Sequence, residues 1–405
     1  MTVVTIHRRY DALVVGARCA GAATAMLLAR RGLRVLAIDR GTYGSDTLST
    51  HALMRGAVMQ LARWDLLDRL KAAGTPPMPV TTFDYGDEVV SIPIRPGDGV
   101  DALYAPRRTV LDRILVDAAR DAGADVRHGW TLADLLRDGT GRVRGAVVVD
   151  ADGAASEVRA DIVIGADGVR SRVAELAGAE TRVSGKPPAG RLLFGYFGGV
   201  PDSGCRWIFR PGLMTGAIPT NGGESCVFAG GRLAEVAGTG VASPEALFRA
   251  CLAASAPELA EAVARGEPAG RLRQFGGVRG HLRQAHGPGW ALVGDAGYFK
   301  DPATAHGITD AFRDAELLAR AVASGSPLAL ADYEHLRDAL SLPLFRVTEA
   351  IAAFDWTTEE VKGRHAALSE AMRTEAAVLA AINAATPLPA LPALTAGRRE
   401  LALAG

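Results

Sequence analysis

The sequence predicts an α/β protein with a parallel sheet, a second part built on an antiparallel sheet, and C-terminal helices. Three observations predict this fold class. Residues 10–40 run in the order strand, glycine turn, helix, strand. From 191 to 233 the hydrophobic period changes to two, with Gly, Pro and Asn-Gly between short apolar segments, which is typical of antiparallel strands. Beyond Pro327 the pattern is mostly helical.

Composition excludes several classes of protein. The 405 residues suffice for two or three domains, and 45 Lys+Arg balance 45 Asp+Glu, so nothing indicates nucleic acid or an anionic membrane as a partner. No apolar segment reaches membrane-spanning length, and the start lacks a secretory signal pattern. The four cysteines have no zinc-like spacing. We therefore expect free thiols in a cytoplasmic protein, no metal centre and no membrane.

The first strand, helix and strand form a βαβ unit. Ala12–Val15 predict a buried strand, Ala22–Arg31 a helix that ends at Gly32, and Val35–Ile38 a second buried strand. The N-terminus of such a helix carries unpaired N–H groups and the positive end of the helix dipole. A pyrophosphate binds at such a position.

The turn before this helix reads Gly16-Ala17-Arg18-Cys19-Ala20-Gly21, close to the dinucleotide fingerprint G-x-G-x-x-G. Both outer glycines are present, and Arg18 replaces the middle one. An arginine there either points outward or adds charge to the phosphates. Asp39 follows about twenty residues on, where a carboxylate binds ribose hydroxyls. An ordinary βαβ crossover with a glycine turn is the alternative, and the motif alone leaves both open.

Two further segments bring possible ligand contacts. Residues 50–70 predict one helix capped by Ser49 or Thr50, with His51 in its first turn, where it could approach a bound ring. Arg107 and Arg108 begin the next helix, ahead of a strand at 124–127. Two arginines at a helix start oppose the dipole, so an anionic group nearby would explain them. A solvated charge pair is the alternative.

Two later strands end in polar motifs. Residues 161–169 predict a buried strand that ends in Ala166-Asp167-Gly168. Trp290–Val293 predict another, followed by Gly294-Asp295, a loop, and a helix over 307–323. The carboxyl ends of parallel strands are where an open α/β sheet places its ligand contacts. The N-terminus of the late helix also faces a loop, so a second electron-poor or anionic group could dock there.

The antiparallel segments carry aromatic side chains, among them Tyr196, Trp207 and Phe209. They either line a pocket for an organic ligand or pack within the sheet. Further along, the pattern predicts a helix over 244–265. It then predicts helices over 328–341, 344–354 and 358–385, the last one with an imperfect capping box formed by Thr357 or Thr358 with Glu360 or Val361.

Together these motifs resemble the flavoprotein monooxygenase superfamily related to para-hydroxybenzoate hydroxylase, which includes geranylgeranyl reductases and flavin-dependent halogenases. The likeness rests on three motifs that follow one another within residues 10–325. They are Gly16–Gly21 with Asp39, then Ala166-Asp167-Gly168, and last Gly294-Asp295 with Pro302, Gly307 and Asp314. It implies a Rossmann-like FAD-binding domain with a parallel sheet, an antiparallel-sheet substrate domain and C-terminal helices. The implied boundaries are 1–75, 100–180 and 280–325 for FAD binding, 76–99 and 181–279 for substrate, 326–385 for the helices, and 386–405 for a weakly ordered tail.

The resemblance also implies a set of cofactor contacts. Arg108 matches the arginine that such enzymes place against the flavin, and residues 302–308 are implied to hold the flavin. The segment 301–306, just before the late helix, is here called the flavin loop. The implied FAD-binding residues are Gly16, Ala17, Arg18, Ala20, Gly21, Asp39, Arg40, Arg107, Arg108, Asp167, Gly168, Gly294, Asp295, Pro302, Ala305, His306, Gly307 and Ile308. Ala305 and Thr309 depart from the glycine and asparagine that many relatives carry.

The implied reaction begins with hydride transfer from NADH or NADPH to FAD. Reduced flavin then traps O2, and the C4a-hydroperoxide transfers one oxygen to an organic, aromatic or polycyclic substrate of specialised metabolism. Candidates for a general base are His51, Tyr196, Tyr298 and His306. Alternatives are a flavin-dependent reductase or dehydrogenase of carbon–carbon bonds, a nicotinamide-only dehydrogenase and a non-catalytic binding protein. The halogenase signature Trp-x-Trp-x-Ile-Pro does not match residues 207–210.

Overall fold

The computed structural model describes residues 4–237, 243–326 and 328–384. Its strands are β1 (Val4–Val15), β2 (Val35–Asp39), β3 (Pro77–Met78), β4 (Val80–Asp84), β5 (Val89–Pro93), β6 (Leu103–Tyr104), β7 (Asp125–His128), β8 (Thr131–Arg137), β9 (Val143–Val149), β10 (Ala155–Gly165), β11 (Thr181–Ser184), β12 (Arg191–Gly198), β13 (Cys205–Arg210), β14 (Leu213–Pro219), β15 (Glu224–Gly231), β16 (Arg273–Phe275), β17 (His281–Arg283), β18 (His286–Gly287), β19 (Trp290–Leu292) and β20 (Tyr298–Phe299). Its α-helices are α1 (Cys19–Arg30), α2 (Arg55–Arg63), α3 (Leu67–Ala72), α4 (Arg108–Asp121), α5 (Arg172–Ala177), α6 (Leu233–Ala237), α7 (Pro244–Ser255), α8 (Pro257–Arg265), α9 (Gly307–Ser324), α10 (Ala329–Ile351) and α11 (Thr358–Ala384).

The first sheet confirms the predicted parallel arrangement. Its strand order is β18-β19-β10-β1-β2-β7, and the five strands from β19 to β7 are parallel. The hairpin β8–β9 joins it antiparallel through β10. Alternation along β1 divides the core: Ala12 and Val14 face the cluster that includes α1, α4 and α9, and Leu13 and Val15 face β8, β9 and α5.

The second sheet has the order β16-β12-β15-β14-β13-β4-β5 and confirms the predicted antiparallel part. One pair, β4 with β13, is parallel. Its inner face includes Phe194 and Phe209 and shares one hydrophobic cluster with the first sheet. Its outer face, with Leu193 and Phe197, packs on α7 and α8. The fold class predicted from the sequence is therefore confirmed.

The single helix predicted over 50–70 is wrong. Only α2 and α3 are helical, and they are separated by Asp65 in a left-handed conformation with φ of +59°. Before α2 the chain is extended, because Leu53 forms a bridge with Tyr104. His51 consequently precedes the helix, and neither Ser49 nor Thr50 is its N-cap.

Two proline predictions also need correction. The helix predicted over 244–265 is two helices, since Ala256 leaves the helical region and α8 restarts with Pro257 at its first position. At Pro343 the chain stays helical, so that the two helices predicted over 328–341 and 344–354 are one continuous helix, α10. Buried Leu340, Leu344 and Phe345 flank this proline and hold the helix against the core.

The capping box at the start of α11 is present. The Glu360 carboxylate accepts from the Thr357 N–H at 2.7 Å, and the Thr357 hydroxyl accepts from the Glu360 N–H at 3.3 Å. The predicted tail over 386–405 lies outside the described residues.

Candidate FAD and substrate site

Three motifs that are far apart in sequence meet at one edge of the first sheet. Val15 of β1 pairs with Gly165 of β10, and Gly165 pairs in turn with Leu292 of β19. Because these strands are parallel and in register, the segments that follow them leave the sheet side by side. Those segments are the turn at 16–21, Ala166-Asp167-Gly168 and Gly294-Asp295.

Glycines permit the close packing of these segments. Gly16 has φ of +99°, and a Cβ there would lie 2.4 Å from the Ala166 carbonyl oxygen. A Cβ on Gly21 would lie 1.8 Å from the Gly16 carbonyl oxygen, and one on Gly294 would lie 2.9 Å from the Ala20 Cβ. The first turn of α1 thus packs closely against both neighbouring loops.

Arg18 turns toward the loop after β2 and toward α4. Its guanidinium donates to the Ser45 hydroxyl and to the Asp112 carboxylate, each at 3.0 Å. Within the described chain no side chain caps α1, and the first intrahelical acceptor is the Arg18 carbonyl, which receives the Ala22 N–H. The N–H groups of the first turn therefore keep their capacity to donate to an anion.

Asp39 is tied to the same turn. Its carboxylate accepts from the N–H groups of Ala17 at 2.8 Å and Gly41 at 2.7 Å. Arg40 beside it is exposed. A cleft with about 220 Å³ of empty volume lies here, lined by Ala17, Arg18, Asp39, Thr42, Gly44, Ser45, Asp112, Val116 and His128.

Asp112 is the contact that sequence reasoning missed. Besides Arg18 it accepts from Arg108 at 3.0 and 3.2 Å and from the Cys19 thiol at 3.2 Å. It is 4% exposed. The available signal was its position four residues after Arg108 on a helix, a spacing that brings the two side chains together.

The two adjacent arginines point in different directions. Arg108 is buried beside Asp112, whereas Arg107 reaches Glu224 at 2.6 Å on the second sheet. The Arg107 guanidinium also lies 3.5 Å from the centre of the Tyr196 ring. The pair thus connects the phosphate turn with the inner face of the antiparallel sheet.

His51 and Tyr196, both named as candidates from the sequence, lie together. His51 Nε2 is 3.0 Å from the Tyr196 hydroxyl, and the rings stack with centres 5.5 Å apart. Burial and the charges of Arg107 and Arg108 lower the pKa of His51 to about 3, so the ring is neutral at physiological pH. His51 also has φ of +48°, an uncommon value for a residue other than glycine.

Asp295 lies close to Arg108 and to the start of α9. Burial and the neighbouring charge of Asp310 raise the pKa of Asp295 to about 6, while Lys300 and Arg108 oppose the rise. A Cβ on Gly307 would lie 3.9 Å from the Asp295 carboxylate. Asp295 is therefore a neighbour of both the N-terminus of α9 and Arg108.

The flavin loop has a defined conformation. The Asp301 carboxylate caps the short turn Pro302–Thr304 by accepting the Ala303 N–H at 2.9 Å, and Ala305 is left-handed with φ of +48°. Helix α9 then begins at Gly307, and no side chain of the described residues caps it. As at α1, its first N–H groups can donate to a ligand.

Two other residues predicted for the site have hydrogen-bond partners elsewhere in the fold. The Asp167 carboxylate accepts from the Ser171 hydroxyl at 2.5 Å and the Arg172 N–H at 2.7 Å, so it supports the start of α5. Tyr298 of β20 is 1% exposed and donates to the Ser341 carbonyl of α10 at 3.2 Å. Neither of these contacts directs the side chain toward Arg108 and Asp295.

A second cleft lies between the flavin loop and the inner face of the second sheet. It has about 260 Å³ of empty volume and is lined by Gly190, Arg191, Leu192, Met214, Gly230, Phe275, Asp301, Ala303 and Phe354. The predicted substrate residues Trp207 and Phe209 lie on the same sheet face but elsewhere: Trp207 packs on Phe228, and Phe209 packs on His365 of α11.

Comparisons with known proteins agree with this geometry. The family described as "FAD binding domain" matches residues 9–341. A menaquinone reductase from Mycolicibacterium smegmatis is 27% identical over 348 residues, which cover 79% of this chain and 78% of the relative. A digeranylgeranylglycerophospholipid reductase from Methanothrix thermoacetophila is 30% identical over 336 residues, which cover 78% and 79%.

Solved structures share the fold. A triple mutant of the flavin-dependent brominase Bmp2 superposes with a TM-score of 0.76 at 19% identity and covers 91% of this chain and 95% of its own. PqsL, a probable FAD-dependent monooxygenase from Pseudomonas aeruginosa, gives 0.70 at 19% identity and covers 90% and 100%. In the described part of the chain, no helix combines the length and apolar character needed to cross a membrane.

Proposed function

Since the chain belongs to the family of FAD-binding domain proteins, whose relatives are oxidoreductases, we propose that it is an NAD(P)H-dependent monooxygenase. It inserts one atom of O2 into an organic substrate, aromatic or polycyclic. The observation that carries the proposal is the convergence of α1, Arg108, Asp295 and the N-terminus of α9, with a cleft between the flavin loop and the antiparallel sheet.

The backbone fits the ADP half of FAD. The glycines at 16, 21 and 294 let the turn and its neighbouring loops pack closely, and the surface at the first turn of α1 offers unpaired N–H groups. Arg18 does not fill this surface, because Ser45 and Asp112 hold its guanidinium to one side. Asp39 would receive the ribose hydroxyls in exchange for one of its backbone contacts.

The flavin half would lie between Arg108, Asp295 and the flavin loop. When bound, FAD supplies hydride acceptance and oxygen activation, chemistry that amino-acid side chains lack. The uncapped N-terminus of α9 would favour electron density on the ring. His51 and Tyr196 offer a buried, neutral hydrogen-bonding pair that could hold a substrate hydroxyl or move its proton.

The lining of the second cleft supports an organic substrate. Phe275, Phe354 and Met214 supply apolar surface, and Arg191 and Asp301 supply charge. Such a lining suits a ring system with one or two polar groups.

Oxygen labelling tests the proposal. Purified holoprotein is first reduced anaerobically with NADH or NADPH, and the faster reductant is identified from the loss of flavin absorbance. Candidate phenols and polycyclic aromatics are then turned over under ¹⁸O2. A product that carries one ¹⁸O atom supports the proposal. Flavin that neither nicotinamide reduces, with every candidate present, contradicts it and indicates a binding protein.

The second candidate is a flavin-dependent reductase of carbon–carbon double bonds. The observation in its favour is that both sequence relatives described above, matched over more than three quarters of their length, are reductases, at 27% and 30% identity. The same experiment distinguishes the two functions, since a reductase yields a product two hydrogens heavier without ¹⁸O. Solvent deuterium in that product would identify the proton delivered by the protein.

A further inference from the structure

His306, the last residue of the flavin loop, lies in a fully buried cluster of charged side chains. His306 is 1% exposed, with Nδ1 3.2 Å from an Asp310 oxygen and Nε2 3.0 Å from a Glu375 oxygen. Carboxylates only accept hydrogen bonds, and a neutral imidazole has a single N–H. Although the Glu375 contact is an ion pair without ideal hydrogen-bond alignment, two carboxylate neighbours favour the imidazolium.

Both carboxylates are ionised, because each also binds a permanent or buried cation. Arg313 contacts Asp310 at 3.1 Å and Glu375 at 2.8 Å, and Lys300 pairs with Asp310. A third carboxylate, Asp314, binds Arg313 at 2.7 Å. Lys300, Arg313 and His306 thus lie among the three carboxylates of Asp310, Asp314 and Glu375.

Electrostatics supports the same protonation state. Burial alone would lower the pKa of His306, but the charges of Glu375 and Asp310 raise it above its ordinary value. Burial alone would raise the pKa of Glu375, but His306 and Arg313 lower it. The charged or titratable groups around the cluster are Lys300 and Tyr298 near β20, Asp310, Arg313 and Asp314 on α9, Glu375 on α11, and Asp295 before the loop.

Glu375 comes from an element outside the matched family region. Helix α11 begins at Thr358, beyond residues 9–341. Buried Leu379 and Ile382 dock the helix, and the Arg63 guanidinium donates to the Leu379 carbonyl at 2.9 Å. A Cβ on Gly56 would lie 3.2 Å from Leu379 and 3.5 Å from the Glu375 carboxylate, so the helix is seated closely on α2.

We propose that Glu375 is a positioning residue through which the last helix controls the flavin loop. It holds His306 as an imidazolium between itself and Asp310, and so fixes both a positive charge and the loop backbone at the N-terminus of α9. The inference rests on the proposed function only for the presence of FAD beside that N-terminus. Without the carboxylate of Glu375, His306 loses its proton within the neutral pH range and the loop loosens.

The test compares two glutamine variants of buried glutamates. Glu375→Gln removes the carboxylate next to His306, and Glu316→Gln removes one that is equally buried but pairs with Arg31 and Arg320 away from the loop. FAD dissociation constants are measured by flavin fluorescence between pH 6 and 9. We expect a one-proton step in Glu375→Gln alone, with binding about two- to fivefold weaker on its alkaline side, the range for one charge at a helix terminus. The step disappears in the double variant with His306→Gln.

A second measurement uses the unaltered protein. Histidine ring ¹⁵N signals are recorded at pH 8 for apoprotein and holoprotein, and His306 is assigned by its loss in His306→Gln. Two protonated ring nitrogens support the proposal, and one unprotonated nitrogen overturns it even where Glu375→Gln does not fold. Equal pH profiles for the two glutamine variants also overturn it. Failure of the unaltered protein to bind FAD instead contradicts the proposed function, since the apoprotein spectrum still tests the cluster.

Discussion

At the scale of single residues, Asp112 determines where two arginines of the site point. It holds Arg18 from the phosphate turn and Arg108 from its own helix, and its side chain is only 5% exposed. A buried carboxylate that loses one of its cations keeps its desolvation penalty, so removing one partner costs more than removing the whole pair. Substitutions of Asp112 and of its arginine partners should therefore affect the free energy of unfolding and FAD binding differently.

Arg108→Met tests this separation. The variant leaves Asp112 short of one cation, and we expect the free energy of unfolding of the apoprotein to fall by about 3 kcal/mol. FAD affinity should fall at least about tenfold, since a charge-assisted contact to the cofactor contributes roughly 1.5–3 kcal/mol. Urea unfolding and flavin fluorescence measure the two effects.

Adding Asp112→Asn to Arg108→Met distinguishes the two roles. The double variant no longer buries an undercompensated carboxylate, so stability should recover in part while FAD affinity stays low. Arg120→Met, at the far end of the same helix, serves as the control and should change neither quantity. Recovery of FAD affinity in the double variant would show that Arg108 acts only through Asp112.

Ala305 gives a second prediction at this scale. It adopts φ of +48°, where a Cβ is disfavoured and glycine is not. Ala305→Gly should raise the free energy of unfolding by about 0.5–1 kcal/mol. Ala303→Gly, in the preceding turn and buried, should lower it, because there the glycine adds only chain entropy. Thermal unfolding of both variants measures the difference, and equal losses would contradict the left-handed conformation.

At the scale of elements, α1 depends on one glycine for its approach to the sheet edge. A Cβ on Gly21 would lie 1.8 Å from the Gly16 carbonyl oxygen, so Gly21→Ala must displace the helix from the turn. We expect a loss of stability of about 1–3 kcal/mol, the range for overpacking, together with loss of FAD binding. Gly139→Ala, where a Cβ would meet no described atom within 4 Å, should leave FAD binding unchanged. Tight FAD binding by Gly21→Ala would exclude the proposed pyrophosphate site.

The sequence predicted those elements that are determined by residues close to one another in the chain. The first βαβ unit follows from a glycine turn and helical spacing, and the antiparallel sheet follows from a period of two. The direction of Arg18 could not be predicted, because its partner Asp112 lies 94 positions away. The effect of a proline on a helix could not be predicted from the local sequence either. Pro257 begins a new helix, whereas α10 continues through Pro343 because tertiary packing holds it. The approach of Glu375 to the flavin loop is likewise a tertiary contact.

At the scale of the whole molecule, neutral histidines are buried in three separate places. Burial lowers the pKa of His51 to about 3, and of His281 and His365 to about 4. His51 contacts the second sheet, His281 lies in β17, and His365 on α11 faces Tyr85 and Phe209. Acid therefore acts on several contacts between elements at once.

The sign of the resulting pH dependence follows from proton linkage. The unfolded chain protonates these histidines near pH 6.5 and the folded chain only near 3 or 4, so the unfolded state gains protons as pH falls below about 6.5. Each histidine alone should lower stability by up to about 1.4 kcal/mol per pH unit between pH 6.5 and 4. Asp295 and Asp301 oppose this decline, because burial raises their pKa values to about 6 and the folded chain therefore takes up their protons before the unfolded chain does. The ion pairs of Asp310 and Glu375 add to the decline only below about pH 5, where the unfolded carboxylates begin to take up protons.

Urea unfolding of the apoprotein from pH 7 to pH 4.5 measures this decline. His365→Gln removes one of these groups and should make the acid-side decline shallower by up to about 1.4 kcal/mol per pH unit, while His335→Gln at an exposed position of α10 should leave the decline unchanged. On the alkaline side the sign reverses for His306, whose raised pKa adds stability that is lost as pH rises through its folded value. Equal pH profiles for His365→Gln and the unaltered protein would mean that His365 titrates in the folded protein as it does in the unfolded chain, and would contradict its burial as a neutral ring between α11 and the second sheet.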